Sequence, residues 1–275
     1  MKEDPAAGFA RVDRTTDPSF FIEFLDSRRT IGGGREIKKL VLELLSLRAG
    51  AHVLDIGCGA GDDAREIAAR VGSGGRVVGI DQSEMMVSEA RRRALKSLTH
   101  LEFRTGDVRK LDFPDGSFDG VRTDRVLLFG PEIEQALAEI LRVLCPGGRL
   151  VTSEIDAQTY FVDSPMVETS RAVFAAFAHN RPHNALGRQL LTLVTQAGFT
   201  NVKSIPHVIR LPHGMFVRTF DGFIRSSIEK GQLAKADVTR WLEGLEQAAN
   251  RGVFNHGVTV FTVCGQKPSD GIGGK

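Results

Sequence analysis

Cysteine is scarce. Cys58, Cys145 and Cys264 stand far apart in the chain and match no zinc-ligand spacing, so no metal site is expected. An odd, dispersed set of thiols offers no disulfide framework and points to a reducing, cytoplasmic setting. Long apolar runs are missing too: none approaches the roughly 18 residues of a membrane span. The N-terminal MKEDPAAGFARVDRTTDP lacks the apolar centre of a secretory leader. Neither sign of charge dominates. A formal net charge of +2 argues against a nucleic-acid surface, and the RRR run at 91 to 93 reads as the solvated face of a helix. No internal repeat occurs, and no low-complexity tract beyond the terminal GIGGK. With 41% hydrophobic and 25% charged residues, the chain is expected to be an ordinary soluble globular protein, either one large α/β domain or a domain with an appendage.

What is present is an alternation of strand and helix patterns. SFFIEFLDSRR (19 to 29) reads as a short helix, IGGG breaks it, and REIKKLVLELLSL (35 to 47) has helical periodicity. Strands follow at 51 to 56, 76 to 81, 101 to 107, 118 to 124 and 148 to 156, with helices at 61 to 71, 83 to 97 and 132 to 144 between them. Such alternation implies a mainly parallel sheet with a ligand at the carboxyl ends of its strands. Two further helices, near 164 to 179 and 186 to 197, lead to a strand at 201 to 211. Residues 213 to 252 read as a helical insert, and a last strand follows, able to pair with the preceding one like a hairpin.

The stretch VLDIGCGAGD, residues 53 to 62, joins a buried strand to a glycine turn and a helix start. A dinucleotide fingerprint would need its third glycine at position 62, where Asp62 stands. The turn is therefore nucleotide-like without being built for a pyrophosphate. Asp81 ends the second strand, where an acid can accept from both ribose hydroxyls. Asp107 ends the third, where a carboxylate can accept from an adenine amino group. LCPGGRL (144 to 150) reads as a helix stop feeding a strand.

In this order and spacing, LDIGCGAGD, GIDQSEMM, GDVRKLDFPDGSFDGV and LRVLCPGGRLV resemble class I S-adenosylmethionine-dependent methyltransferases. The nearest branch is that of the ubiquinone/menaquinone-biosynthesis enzymes, which includes small-molecule methyltransferases of bacterial secondary metabolism. The resemblance is strong over residues 35 to 155 and one of layout elsewhere. It implies a Rossmann-like, doubly wound seven-stranded sheet with an antiparallel last strand. Residues 1 to 34 would form an N-terminal arm or lid, and 35 to 275 the methyltransferase domain carrying the insert.

The resemblance also implies roles. Gly57, Gly59 and Gly61 would let the backbone approach the methionine part of the donor, and Asp55 would support its ammonium. Asp81 would bind the ribose, Gln82 and Met86 would border the adenine, and Asp107 with the Val108 backbone would receive the adenine amino group. The Thr123 backbone would meet the methionine ammonium. For the transfer itself the candidates are Arg125, His179, His183 and Glu154; Phe20, Phe21, Phe24 and His213 are candidates for the acceptor wall and lid. Arg125 pairs in sequence with Asp124, as a substrate contact or as a salt bridge apart from it. The donor is already activated, so positioning and water exclusion carry much of the catalysis, and the motifs suit O-, N- and C-methylation alike. No Asn-Pro-Pro-Tyr follows the fourth strand, where RTDRVLLF stands, which argues against nucleic-acid amino groups and for a small, partly apolar acceptor. Two other classes fit parts of the pattern: an NAD-dependent oxidoreductase and a non-catalytic binder of S-adenosylmethionine. The insert would serve as acceptor wall or as an oligomer interface.

Overall fold

The structure, a computed structural model, describes residues 8–15, 17–28, 34–94, 98–130 and 132–269. Residues 31–33 of the IGGG break, the end of the expected helix at 95–97 and the terminal GIGGK lie outside them. After a 3-10 segment at Phe9–Arg14 come helices α1 (Ser19–Arg28) and α2 (Gly34–Leu45). The repeat proper runs β1 (His52–Ile56), α3 (Asp62–Val71), β2 (Arg76–Asp81), α4 (Glu84–Arg93), β3 (Leu101–Thr105), β4 (Phe118–Asp124), α5 (Ile133–Val143) and β5 (Leu144–Val162). Then follow α6 (Val167–His179), α7 (Leu186–Gln196), β6 (Thr200–Ile209), α8 (His213–Glu229), α9 (Lys235–Asn250) and β7 (His256–Gln266).

The seven strands form one sheet in the order β3-β2-β1-β4-β5-β7-β6. β1 pairs in parallel with β2 and β4, while β7 runs antiparallel to both β5 and β6. The order reverses at β1, which places the crevice for a ligand beyond the ends of β1 and β4. From Val53 onward β1 is buried on both faces because helices cover both, the signature of a central parallel strand. α5 shows why its segment is helical: Ile133, Ala136, Leu137, Ile140 and Val143 recur every three or four residues and face the core.

Three expectations shift. β3 stops at Thr105, because Gly106 and Asp107 turn away and the Asp107 carbonyl accepts the Lys110 N–H at 3.1 Å. Asp107 is therefore on a turn. β5 begins at Leu144, inside the expected helix stop, where it pairs with Phe118, and it continues to Val162 past a register shift against β7. The helical insert is present, but it closes around its own core. Phe216, Phe220 and Phe223 of α8 and Trp241 of α9 pack on Val173, Phe174 and Phe177 of α6.

The N-terminal arm is tied down by polar contacts as well as by Val12 and Phe21. Asp13 accepts hydrogen bonds from Ser83 Oγ (2.5 Å) and from the backbone N–H groups of Glu84 (2.8 Å) and Met85 (3.3 Å). It thus supplements the Ser83 cap of α4 from a different segment of chain, meeting first-turn donors that helical bonding leaves open. Arg93 on α4 holds Asp26 on α1 through two nitrogens, at 2.6 and 2.8 Å. No helix among the described residues is long and apolar enough to cross a membrane.

Candidate active site

At the carboxyl ends of β1, β2 and β4 the structure encloses a cavity of about 400 Å³. Its floor is the turn after β1, where Gly57 and Gly59 line the space with φ of +67° and +51°. Few side-chain-bearing residues adopt that region of backbone space. Asp81 closes β2 and also lines the cavity. Its Oδ2 accepts the Gly59 N–H at 2.9 Å and its Oδ1 the Ser83 N–H at 3.0 Å. Burial raises the Asp81 carboxyl above the ordinary range, against these two donors. Gln82, Met86, Asp107 and Val108 also line the cavity on that side. Both Asp107 oxygens also meet Arg109, whose Nη1 reaches Glu132 at 2.9 Å; the Arg109 hydrogen bonds hold the Asp107 carboxyl below its usual value.

Several expected residues stand elsewhere. Gly61 is outside the cavity: a Cβ there would lie 2.5 Å from Phe103 and 2.9 Å from Ala90, so its smallness serves helix-to-sheet packing. Asp55 is fully buried beneath the floor, where Arg122 Nη1 donates to it at 2.6 Å. Burial pushes its carboxyl up to about 6 although Arg122 opposes the shift, and among the described residues its Oδ2 has no hydrogen-bond partner. Arg122, itself buried, also bonds Asp63 and, at 3.1 Å, Asp124; Lys38 closes on Asp63 at 2.6 Å. Thr123 is buried in the sheet, its Oγ1 donating to Thr152 at 2.8 Å, and does not line the space.

The transfer candidates divide. Arg125 lines the cavity, with its Nε and Nη2 on Asp124 at 2.8 and 3.0 Å. Glu154 does not. It is wholly buried behind the wall, where its Oε1 accepts the N–H groups of Val126 (2.9 Å) and Leu127 (2.8 Å). His183 sits one layer out, its Nε2 2.7 Å from the carbonyl of the wall residue Gly130. His179 is exposed at the end of α6, and His213 packs edge-on against Phe254, both away from the cavity. Phe24 lines the space; Phe21 is buried behind it against Phe9, and Phe20 packs on both Phe21 and Phe24.

Sequence reasoning missed much of the wall. Phe9, Phe129 and Phe177 line the cavity, and Thr219 is the insert's contribution among the described lining residues. Phe9 sits in a polar, aperiodic segment, so nothing in its neighbourhood marked it. The run VLLF, residues 126 to 129, was a visible apolar signal next to the fourth strand.

These residues suit a nucleoside with a zwitterionic amino-acid arm. Asp81 is a cavity-lining carboxylate at the strand end, a position at which an acid can accept from a ribose diol, and Gly57 and Gly59 leave the floor bare. The start of α3 carries Asp62 and Asp63, which repel rather than bind a phosphate. Among the described residues no cluster of three or more metal-ligating side chains gathers.

The sequence pattern of the family described as "Methyltransferase domain" matches residues 47–201. A Streptomyces fradiae protein described as an uncharacterized 37.1 kDa protein in transposon TN4556 is 37% identical over 249 residues, covering 89% of this chain and 71% of that protein. A 2-phytyl-1,4-naphtoquinone methyltransferase of Thermosynechococcus vestitus is 32% identical over 183 residues, 62% of this chain and 81% of its own length. A Haemonchus contortus phosphoethanolamine N-methyltransferase 2, solved in complex with S-adenosyl-L-methionine, matches in fold with a TM-score of 0.62 at 18% identity, covering 94% of this chain and 59% of that one.

Proposed function

The chain belongs to the methyltransferase domain family, and from that premise we propose that its cavity carries S-adenosylmethionine-dependent methyl transfer to a small, partly apolar acceptor. The observation that carries the reading is Asp81: a carboxylate at the end of β2, fixed by two backbone donors and lining a cavity whose floor is bare glycine backbone. Asp81 would hold the ribose, Gln82 and Met86 the adenine flank, and the Gly57–Gly59 turn the amino-acid arm. When bound, S-adenosylmethionine supplies a methyl group on a sulfonium, already activated for displacement. The chain's own work is then to bind, orient and exclude water. Phe9, Phe24, Phe129 and Phe177 give the remaining wall an aromatic lining, which supports an acceptor with an apolar body. The dispersed thiols support a cytoplasmic setting.

Calorimetry with S-adenosylmethionine, S-adenosylhomocysteine and NAD tests the reading. The first two are expected to bind and NAD is not. Asp81→Ala is expected to weaken donor binding by about 1 to 3 kcal/mol, the worth of hydrogen bonds to a charged group. Wild-type affinity in that variant, or NAD binding alone, would overturn the assignment. Turnover with a panel of acceptors separates an enzyme from a mere binder.

A further inference from the structure

Two guanidinium groups line the cavity among the described residues, and they are spent differently. Arg109, at the rim, uses Nε and Nη2 on Asp107 and Nη1 on Glu132. Arg125 uses Nε and Nη2 on Asp124, and among the described residues its Nη1 donates to none. An arginine carries five N–H donors and no acceptor. The open Nη1 edge calls for an acceptor atom, and is met most strongly by an oxygen that is charged or carries no proton of its own, such as a carboxylate, phenolate or carbonyl oxygen.

The backbone beneath this edge is unusually well held. Arg125 has φ of +57°, in the left-handed region that side-chain-bearing residues seldom occupy. Residues keep such conformations only where their surroundings over-determine them, and such places cluster at working sites. Here β5 supplies the restraint. The Ser153 carbonyl accepts the Arg125 N–H at 2.8 Å, and Glu154 Oε1 takes the next two N–H groups. Glu154 is wholly buried, and among the described residues its Oε2 has no hydrogen-bond partner, a costly arrangement for a carboxyl whose Oε1 bonds go to this one loop. Beside the Arg125–Asp124 pair the cavity is also lined by Val126, Leu128, Phe129, Tyr160 and Phe177, a largely apolar stretch of wall.

We propose that Arg125 is a specificity-determining residue whose Nη1 edge receives a carboxylate, phenolate or carbonyl oxygen on the apolar, ring-bearing body of the acceptor. Glu154 is the positioning residue that keeps the Arg125 loop in register with the cavity. This rests on the methyl-transfer reading of the same cavity.

The test compares three probes of similar shape, 2-naphthoate, 2-acetylnaphthalene and 2-ethylnaphthalene, by calorimetry in the presence of saturating S-adenosylhomocysteine. Wild type is expected to bind at least one of the oxygen-bearing probes about tenfold more tightly than the hydrocarbon. The first two arms show whether the edge takes an anion or a carbonyl. Arg125→Leu is expected to remove the preference while S-adenosylhomocysteine affinity persists, and Arg125→Lys to keep part of it. Glu154→Leu is expected to lose the preference as Arg125→Leu does, and Glu154→Gln, which retains an acceptor for both N–H groups, to keep it. A wild type that binds all three probes equally, binds none, or an Arg125→Leu variant that still prefers oxygen would overturn the proposal. Should either leucine variant fail to fold, the wild-type and Arg125→Lys comparisons decide it. Failure of wild type to bind S-adenosylhomocysteine would instead overturn the reading of the cavity itself.

Discussion

At Gly57 a φ of +67° meets a second constraint, because a Cβ built there would lie 2.2 Å from Val126 Cγ2. Gly57→Ala therefore pushes the Arg125 loop as well as straining its own backbone, at an expected cost of about 1 to 3 kcal/mol, read as a lowered Tm. At Gly59 the neighbour is Leu25 Cδ1, 3.1 Å from a hypothetical Cβ, and φ is +51°. Gly59→Val is expected to abolish donor binding in calorimetry, since a branched side chain would fill the floor. Glu154 links residue chemistry to pH. Burial raises its carboxyl from 4.5 to about 8, so the folded state holds the proton more tightly than the unfolded chain. Its contribution to stability is thus full below 4.5 and lost as pH rises through about 8. Glu154→Gln is expected to flatten the decline in Tm across that window, measured by thermal unfolding in parallel buffers. A decline equally steep in the variant would assign it to other groups.

Elements show where sequence periodicity suffices. β1, β2 and β4 were legible because their apolar runs end at glycine or acid, and α5 because its buried residues recur at helical spacing. Asp81 and the Gly57–Gly59 turn were legible for the same reason: they sit at strand ends, where topology puts the ligand. The partner of Asp55 was not, since Arg122 lies on a neighbouring strand and only the β1–β4 register brings the two together. The periodicity of the α8–α9 insert suits an acceptor wall or an oligomer interface; its phenylalanines pack mostly against α6, and Thr219 alone of its described residues reaches the cavity. Excising it would uncover Phe174 and Phe177, so loss of activity on deletion would reflect exposed core. The arm offers a cleaner element-level test. Asp13→Ala removes acceptors from the first turn of α4 and is expected to cost about 1 kcal/mol. It should also speed proteolytic cleavage within residues 9 to 28. Unchanged cleavage would mean that Phe21 and the Asp26–Arg93 pair hold the arm by themselves.

For the molecule as a whole, a ligand that binds the folded state alone stabilises it by mass action. S-adenosylhomocysteine at a hundred times its Kd is expected to add about 2.7 kcal/mol, seen as a rise of several degrees in Tm, whereas NAD adds nothing. The walls on either side of the cavity have separate origins. The floor and the Asp81 side come from β1, β2 and the turns that follow them, while Phe177 belongs to the cluster built around Trp241 and Thr219 lies on α8, whose phenylalanines join that cluster. Because that cluster meets the sheet at Tyr160, Val162 and His256 and not at the Gly57–Gly59 turn, its aromatic residues can change by substitution without disturbing the glycine floor. On the proposed assignment of the two walls, acceptor choice can be retuned on one while donor recognition is kept on the other.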